Sequence, residues 1–133
     1  MRYLLDTNIV SHLLRDPHGQ IADRIRSVGE ESICTSIVVT AELRYGVAKK
    51  ASPKLAAQLE AVLSALEALP LEAPADEAYG RVRTQLERDG TPIGGNDLLI
   101  AAQALSLGHT LVTDNEREFR RVEGLSIANW LRP

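Results

Sequence analysis

The apolar positions along this chain follow two different spacings. Short runs of aliphatic residues, such as Tyr3-Leu4-Leu5 and Leu111-Val112, each end in a polar cluster, and between them apolar residues recur every three or four positions. The first pattern predicts strands over residues 3–6, 32–35 and 110–113, with two shorter ones over 69–71 and 126–128. The second predicts helices over residues 8–14, 21–28, 38–48, 54–69, 76–88 and 97–107, and a short one over 117–121. Turn chemistry separates them: Asp16-Pro17-His18-Gly19, Asp89-Gly90 and Gly108 are stops, and Ser52-Pro53 reads as an N-cap with proline at the first helical position. Strands alternating with helices imply an α/β fold with a parallel sheet covered on both faces. In such folds ligands bind beyond the carboxyl ends of the strands, so the strand ends are the place to look for chemistry.

Composition narrows the class. The 133 residues fit a single domain over 1–133, and the 44% hydrophobic content contains few aromatics. Cys34 is the only cysteine, which excludes an internal disulfide and reads as a small core residue. The chain starts on a strand-like segment and no apolar run reaches about 18 residues, so a soluble cytoplasmic protein without a membrane segment is expected. The net charge of −3 is not that of a bulk nucleic-acid binder. A carboxylate cluster that holds divalent cations would itself make the chain acidic.

Four places carry candidate chemistry. The first strand ends in Leu5-Asp6-Thr7-Asn8 and the late strand in Val112-Thr113-Asp114-Asn115. Both are apolar runs closed by a carboxylate with a hydroxyl and an amide beside it, and parallel pairing would bring them to one edge. Glu42 has Val38, Val39, Tyr45 and Gly46 as its helical neighbours, which places a carboxylate on or beside a buried face, where it needs a partner or a metal. Asp97 opens a helix that is apolar nearly all round, preceded by Gly94-Gly95-Asn96, and either Asn96 or Asp97 can cap that helix and leave the other free. Each acid taken alone could be a cap or half of a salt bridge. Several acids together would repel one another and take up protons unless a hard cation sat between them. Oxygen ligands suit Mg2+ or Mn2+, and the scattered His12, His18 and His109 disfavour zinc. Such a site suits phosphate chemistry. Arg117, Arg120 and Arg121, directly after the second acidic strand end, could hold flanking phosphates. There is no GxxxxGK[ST] loop and no GxGxxG after the first strand.

Four blocks of this sequence resemble the PIN-domain family, and within it the VapC toxins of prokaryotic toxin–antitoxin pairs. They are Leu5-Asp6-Thr7-Asn8; Thr40-Ala41-Glu42-Leu43 with Tyr45-Gly46; Ile93-Gly94-Gly95-Asn96-Asp97-Leu98-Leu99-Ile100-Ala101-Ala102; and Leu111-Val112-Thr113-Asp114-Asn115-Glu116-Arg117-Glu118-Phe119. The resemblance implies a Rossmann-like α/β/α sandwich on a parallel sheet of about five strands. It implies a magnesium-dependent endoribonuclease, with Asp6, Glu42 and Asp97 forming the acidic site and Asp6 and Asp97 as the main metal ligands. It also implies an RNA substrate such as transfer RNA, a VapB-type antitoxin and a homodimer. Many family members carry a fourth acid two residues after the strand-terminal Thr. Here that position is Asn115, with Asp114 one residue early, and adjacent extended residues point to opposite sides. Thr7 and Asn8 are further candidates for substrate contact. Two other readings compete: a partner-binding module that keeps the fold without catalysis, and a phosphatase with Asp6 as nucleophile, which generally wants a second acid where this chain has Asn8.

Overall fold

The computed structural model describes residues 2–132. Five parallel strands form one sheet in the order β3-β2-β1-β4-β5, made of β1 (Tyr3–Leu5), β2 (Ile33–Ser36), β3 (Ala68–Leu69), β4 (Thr110–Val112) and β5 (Ile127–Ala128). Leu4, Leu5, Leu111 and Val112 on the central strands are fully buried, as expected for strands covered on both faces. The chain builds outward from β1 to β2 and β3, then returns to place β4 on the other side of β1. The topological switch point therefore lies between β1 and β4, where Leu5 is in register with Val112.

Among the described residues, seven α-helices connect the strands: α1 (Thr7–Arg15), α2 (Gln20–Val28), α3 (Ile37–Lys50), α4 (Pro53–Ser64), α5 (Ala75–Arg88), α6 (Gly95–Leu107) and α7 (Glu116–Phe119). Ser36 caps α3 by accepting the Val38 N–H, and Ser52 caps α4 by accepting that of Leu55. The nearly all-apolar α6 buries Ile100, Ala101, Ala102 and Ala104 in the core, as its apolar character predicts. No helix among the described residues is long and apolar enough to cross a membrane.

The largest departure from the sequence reading is α4. Periodicity carried it to residue 69, but the helix ends at Ser64, whose hydroxyl donates to the Ala61 carbonyl. The chain then turns so that the Glu67 carbonyl accepts the Thr35 N–H, and β3 forms at Ala68–Leu69 rather than over 69–71. Pairing to a buried strand outweighs two further positions of helical spacing. Of the apolar stripe on this segment, Leu59 is buried, and Leu55, Val62, Leu63, Leu66 and Leu69 are partly buried against the same core. That stripe packs against the core of its own chain.

Candidate active site

Asp6 directly follows β1, and its own N–H donates to the Val112 carbonyl, so the residue still belongs to the sheet edge. It occupies the N-cap position of α1, yet its side chain makes no capping bond. The carboxylate is only 3% exposed and accepts a 2.7 Å hydrogen bond from the Thr113 hydroxyl. Burial raises its pKa and the Glu42 charge adds to the rise, opposed by the hydrogen bonds from Thr113 and the Thr7 N–H.

Glu42 projects from the second turn of α3 and is half-buried. It accepts the Thr7 hydroxyl at 2.6 Å and the Asn96 amide at 3.4 Å. The salt bridge that its neighbour Arg44 might have offered goes to Glu60 instead, at 2.8 Å. The apolar face inferred for this helix is one-sided, since Val39 is buried but Tyr45 is 67% exposed.

Asp97 is the third residue of α6, not its cap. The N-cap is Gly94, which has no side chain to offer, so neither Asn96 nor Asp97 is used in capping. The Asp97 carboxyl is pushed up to about 7, first by burial and then by the charge of Asp6, the hydrogen-bonded Glu118 carboxyl, that group's charge, and the charge of Glu42. Three acids from three elements, β1's end, α3 and α7, thus act on one carboxyl on α6. A groove of about 440 Å3 lined by Glu42, Gly94, Gly95, Asn96 and Asp97 reaches two of these acids.

Glu118 was not singled out from the sequence. It lies in α7, a four-residue helix too short to show periodicity, and the signal that could have found it is its neighbour Phe119. That ring is fully buried and anchors α7 to the core beside β5. Thr113 was also missed as a site residue. It is fully buried, and its hydroxyl accepts the Asn115 N–H at 2.9 Å while donating to Asp6.

Asp114, expected among the catalytic acids, does not join them. Its carboxylate accepts from the Asn129 amide at 3.0 Å and from Arg132 at 3.1 Å, and these two partners hold its pKa below the ordinary range. Asn115 sits at the N-cap position of α7 without a side-chain capping bond. Thr7 and Asn8 are committed to bracing the site: Thr7 holds Glu42, while the Asn8 amide oxygen accepts the Asp114 N–H at 3.0 Å. Of the three arginines, Arg120 pairs with Glu116 and Arg121 donates to the Pro92 carbonyl. Arg117 is exposed and has no such partner among the described residues.

The donor set is all oxygen. Among the described residues, no three acidic, His or Cys side chains stand close enough to clasp an ion as they are. Asp6 and Asp97 are instead raised toward their protonated forms, and a hard divalent cation would replace a proton there and neutralise the crowding. The residues fit such an ion in chemistry. They do not favour a phosphatase, because Asp6 is buried and Asn8, two positions on, is spent on the backbone of Asp114.

The chain matches the PIN domain family over residues 3–125. It is 39% identical over 132 residues to Ribonuclease VapC2 of Rickettsia felis, spanning 98% of each chain. It is 34% identical over 131 residues to the tRNA(fMet)-specific endonuclease VapC of Shigella flexneri, again spanning 98% of each. Its fold is similar to that in the crystal structure of VapBC2 from Rickettsia felis bound to a promoter DNA fragment, with a TM-score of 0.91 and 38% identity over 98% of this chain and 99% of that one. For VapBC-1 from nontypeable Haemophilus influenzae the TM-score is 0.89 at 31% identity, over 99% of this chain and all of that one.

Proposed function

Because this chain belongs to the PIN-domain family, we propose that it is a VapC-type endoribonuclease, the toxin of a toxin–antitoxin pair, and that it hydrolyses RNA with the aid of Mg2+. One observation carries the reading: Asp97 is held beside Asp6, Glu42 and Glu118 near the switch point of the sheet, where burial first and then these acids push its carboxyl to about 7. A structural ion pair would lower a carboxyl, and a simple cap would need no neighbours of like charge.

Asp6 and Asp97 would hold the cation, with Glu42 and Glu118 completing its surroundings; Mn2+ is a plausible substitute. The bound ion supplies polarisation of a phosphoryl oxygen and a lowered pKa for the attacking water. The protein's own contribution is orientation. Thr113 fixes one oxygen of Asp6, and Thr7 fixes one oxygen of Glu42. Gly94 and Gly95 keep the groove mouth free of side chains so that a ribose-phosphate backbone can approach. Arg117 is placed to meet a flanking phosphate.

Structured RNA, transfer RNA among it, is the substrate class supported by the tRNA(fMet)-specific relatives. A VapB-type antitoxin is the partner supported by the VapBC complexes. The test is cleavage of total RNA and of purified transfer RNA by the isolated chain. Discrete fragments with Mg2+, and none after chelation with EDTA, are expected. Intact RNA at all Mg2+ and Mn2+ concentrations would contradict the reading and favour a binding module that keeps the fold.

A further inference from the structure

Gln103 is 1% exposed and sits in the second half of α6, away from the groove. Its side chain joins three elements. The Oε1 atom accepts the Ser36 hydroxyl at 2.5 Å, and Nε2 donates to the carbonyls of Leu69 at 3.3 Å and Pro70 at 3.1 Å. Carbonyls only accept, so the amide nitrogen must face Leu69 and Pro70, and Ser36 must donate to Oε1. Ser36 also accepts the Val38 N–H as the cap of α3. The result is a one-directional chain, Val38 N–H to Ser36 hydroxyl to Gln103 carbonyl, with every amide hydrogen used.

This clamp lies at one end of the packing between α3 and α6. The contact between Asn96 and Glu42 lies at the other, so the two helices run in opposite directions. Glu42 is six residues beyond Ser36, and Asp97 is six residues before Gln103, about 9 Å along each helix axis. We propose that Gln103 is a positioning residue that sets the spacing between Glu42 and Asp97; this rests on reading those acids as part of the RNA-cleaving site. Buried polar networks that are fully satisfied specify one arrangement of the elements they join. Here the elements joined are the two helices that carry opposing acids, together with the end of β3.

The test uses purified Gln103→Leu, with Leu59→Ala on α4 as a control for lost stability alone. Melting temperature, kcat, KM and the Mn2+ concentration for half-maximal cleavage are measured, alongside calorimetric Mn2+ binding. Both variants should melt at lower temperature. Only Gln103→Leu should lose kcat, by about 10- to 100-fold, with weakened Mn2+ binding and little change in KM. If Gln103→Leu melts lower but keeps wild-type kcat and Mn2+ binding, the residue is merely structural and the proposal falls. Should that variant fail to fold, Gln103→Met carries the test, since it keeps the length of the side chain, leaves the Ser36 cap of α3 in place and removes only the amide bonds: reduced kcat supports the clamp and unchanged kcat overturns it. A fully active Asp97→Asn protein would instead overturn the site reading itself, whatever Gln103 does.

Discussion

The ends of β1 and β4 look alike in sequence and do opposite things. Each closes an apolar run with a carboxylate, a hydroxyl and an amide. Pairing of Leu5 with Val112 puts Asp6 opposite Thr113, so at the same level β1 offers a carboxylate and β4 offers a hydroxyl. Thr113 donates to Asp6 across the switch point at 2.7 Å. Asp114 comes one residue later, and a one-residue step along an extended chain turns a side chain to the other side. It lands on Asn129 and Arg132 rather than among the acids. Register, rather than residue type, decides which of two matching motifs becomes part of the site. Glu118, four residues after Asp114, is the α7 acid that helps to raise Asp97.

The comparison can be broken most severely at Asp6. Asp6→Asn should reduce Mg2+-dependent RNA cleavage to background while the protein keeps its circular dichroism spectrum, and residual activity near wild type would remove Asp6 from the site. Thr113→Val is the next largest. It leaves a buried carboxylate short of one partner, costing about 1–3 kcal/mol of stability, and disturbs a group that orients a ligand, which typically lowers activity about 10- to 100-fold. Unchanged kinetics in that variant would mean that the cross-strand bond does not matter to function.

A smaller effect follows from pH. The folded chain holds Asp97 at about 7, above the ordinary carboxyl value of about 4, and Asp6 is raised as well. Folding therefore favours their protonated forms. That stabilisation is full below about pH 4 and is lost as pH rises through about 7. The metal-free protein should melt at progressively lower temperature between pH 5 and pH 8 on this account, and added Mn2+ should restore more stability at pH 8 than at pH 5, because a cation replaces the proton. A Mn2+-induced gain that is larger at pH 5 would contradict it. The smallest effect is expected at Arg132→Ala, which opens an exposed bridge worth about 0–1 kcal/mol and should leave cleavage unchanged.

Much of the candidate site could be picked out before the fold. Asp6, Glu42 and Asp97 stand out because each sits at an element end or beside an apolar face, and elements with clear periodicity placed them on separate strands and helices. The parallel sheet followed from the same alternation. What stayed hidden depended on pairing or on very short elements. The end of α4 is set by the bond from Thr35 to the Glu67 carbonyl, which no local pattern around residue 65 announces. Asp114 and Thr113 could not be told apart without the register of β1 against β4. Glu118 lies on a helix of four residues, where one buried ring, Phe119, fixes the direction of its neighbours. Thr7 and Asn8 read as substrate contacts because they flank an acid, whereas the structure spends both on holding acids and backbone in place.

The identity of the fourth acid is the most direct test of the proposed site. Cleavage of a transfer RNA substrate by Glu118→Gln and Asp114→Asn, at saturating Mg2+ and neutral pH, separates the alternatives in one experiment. The structure predicts that Glu118→Gln loses most of its activity, whereas Asp114→Asn cleaves at close to the wild-type rate. Full activity in Glu118→Gln together with loss in Asp114→Asn would contradict the arrangement described for this site.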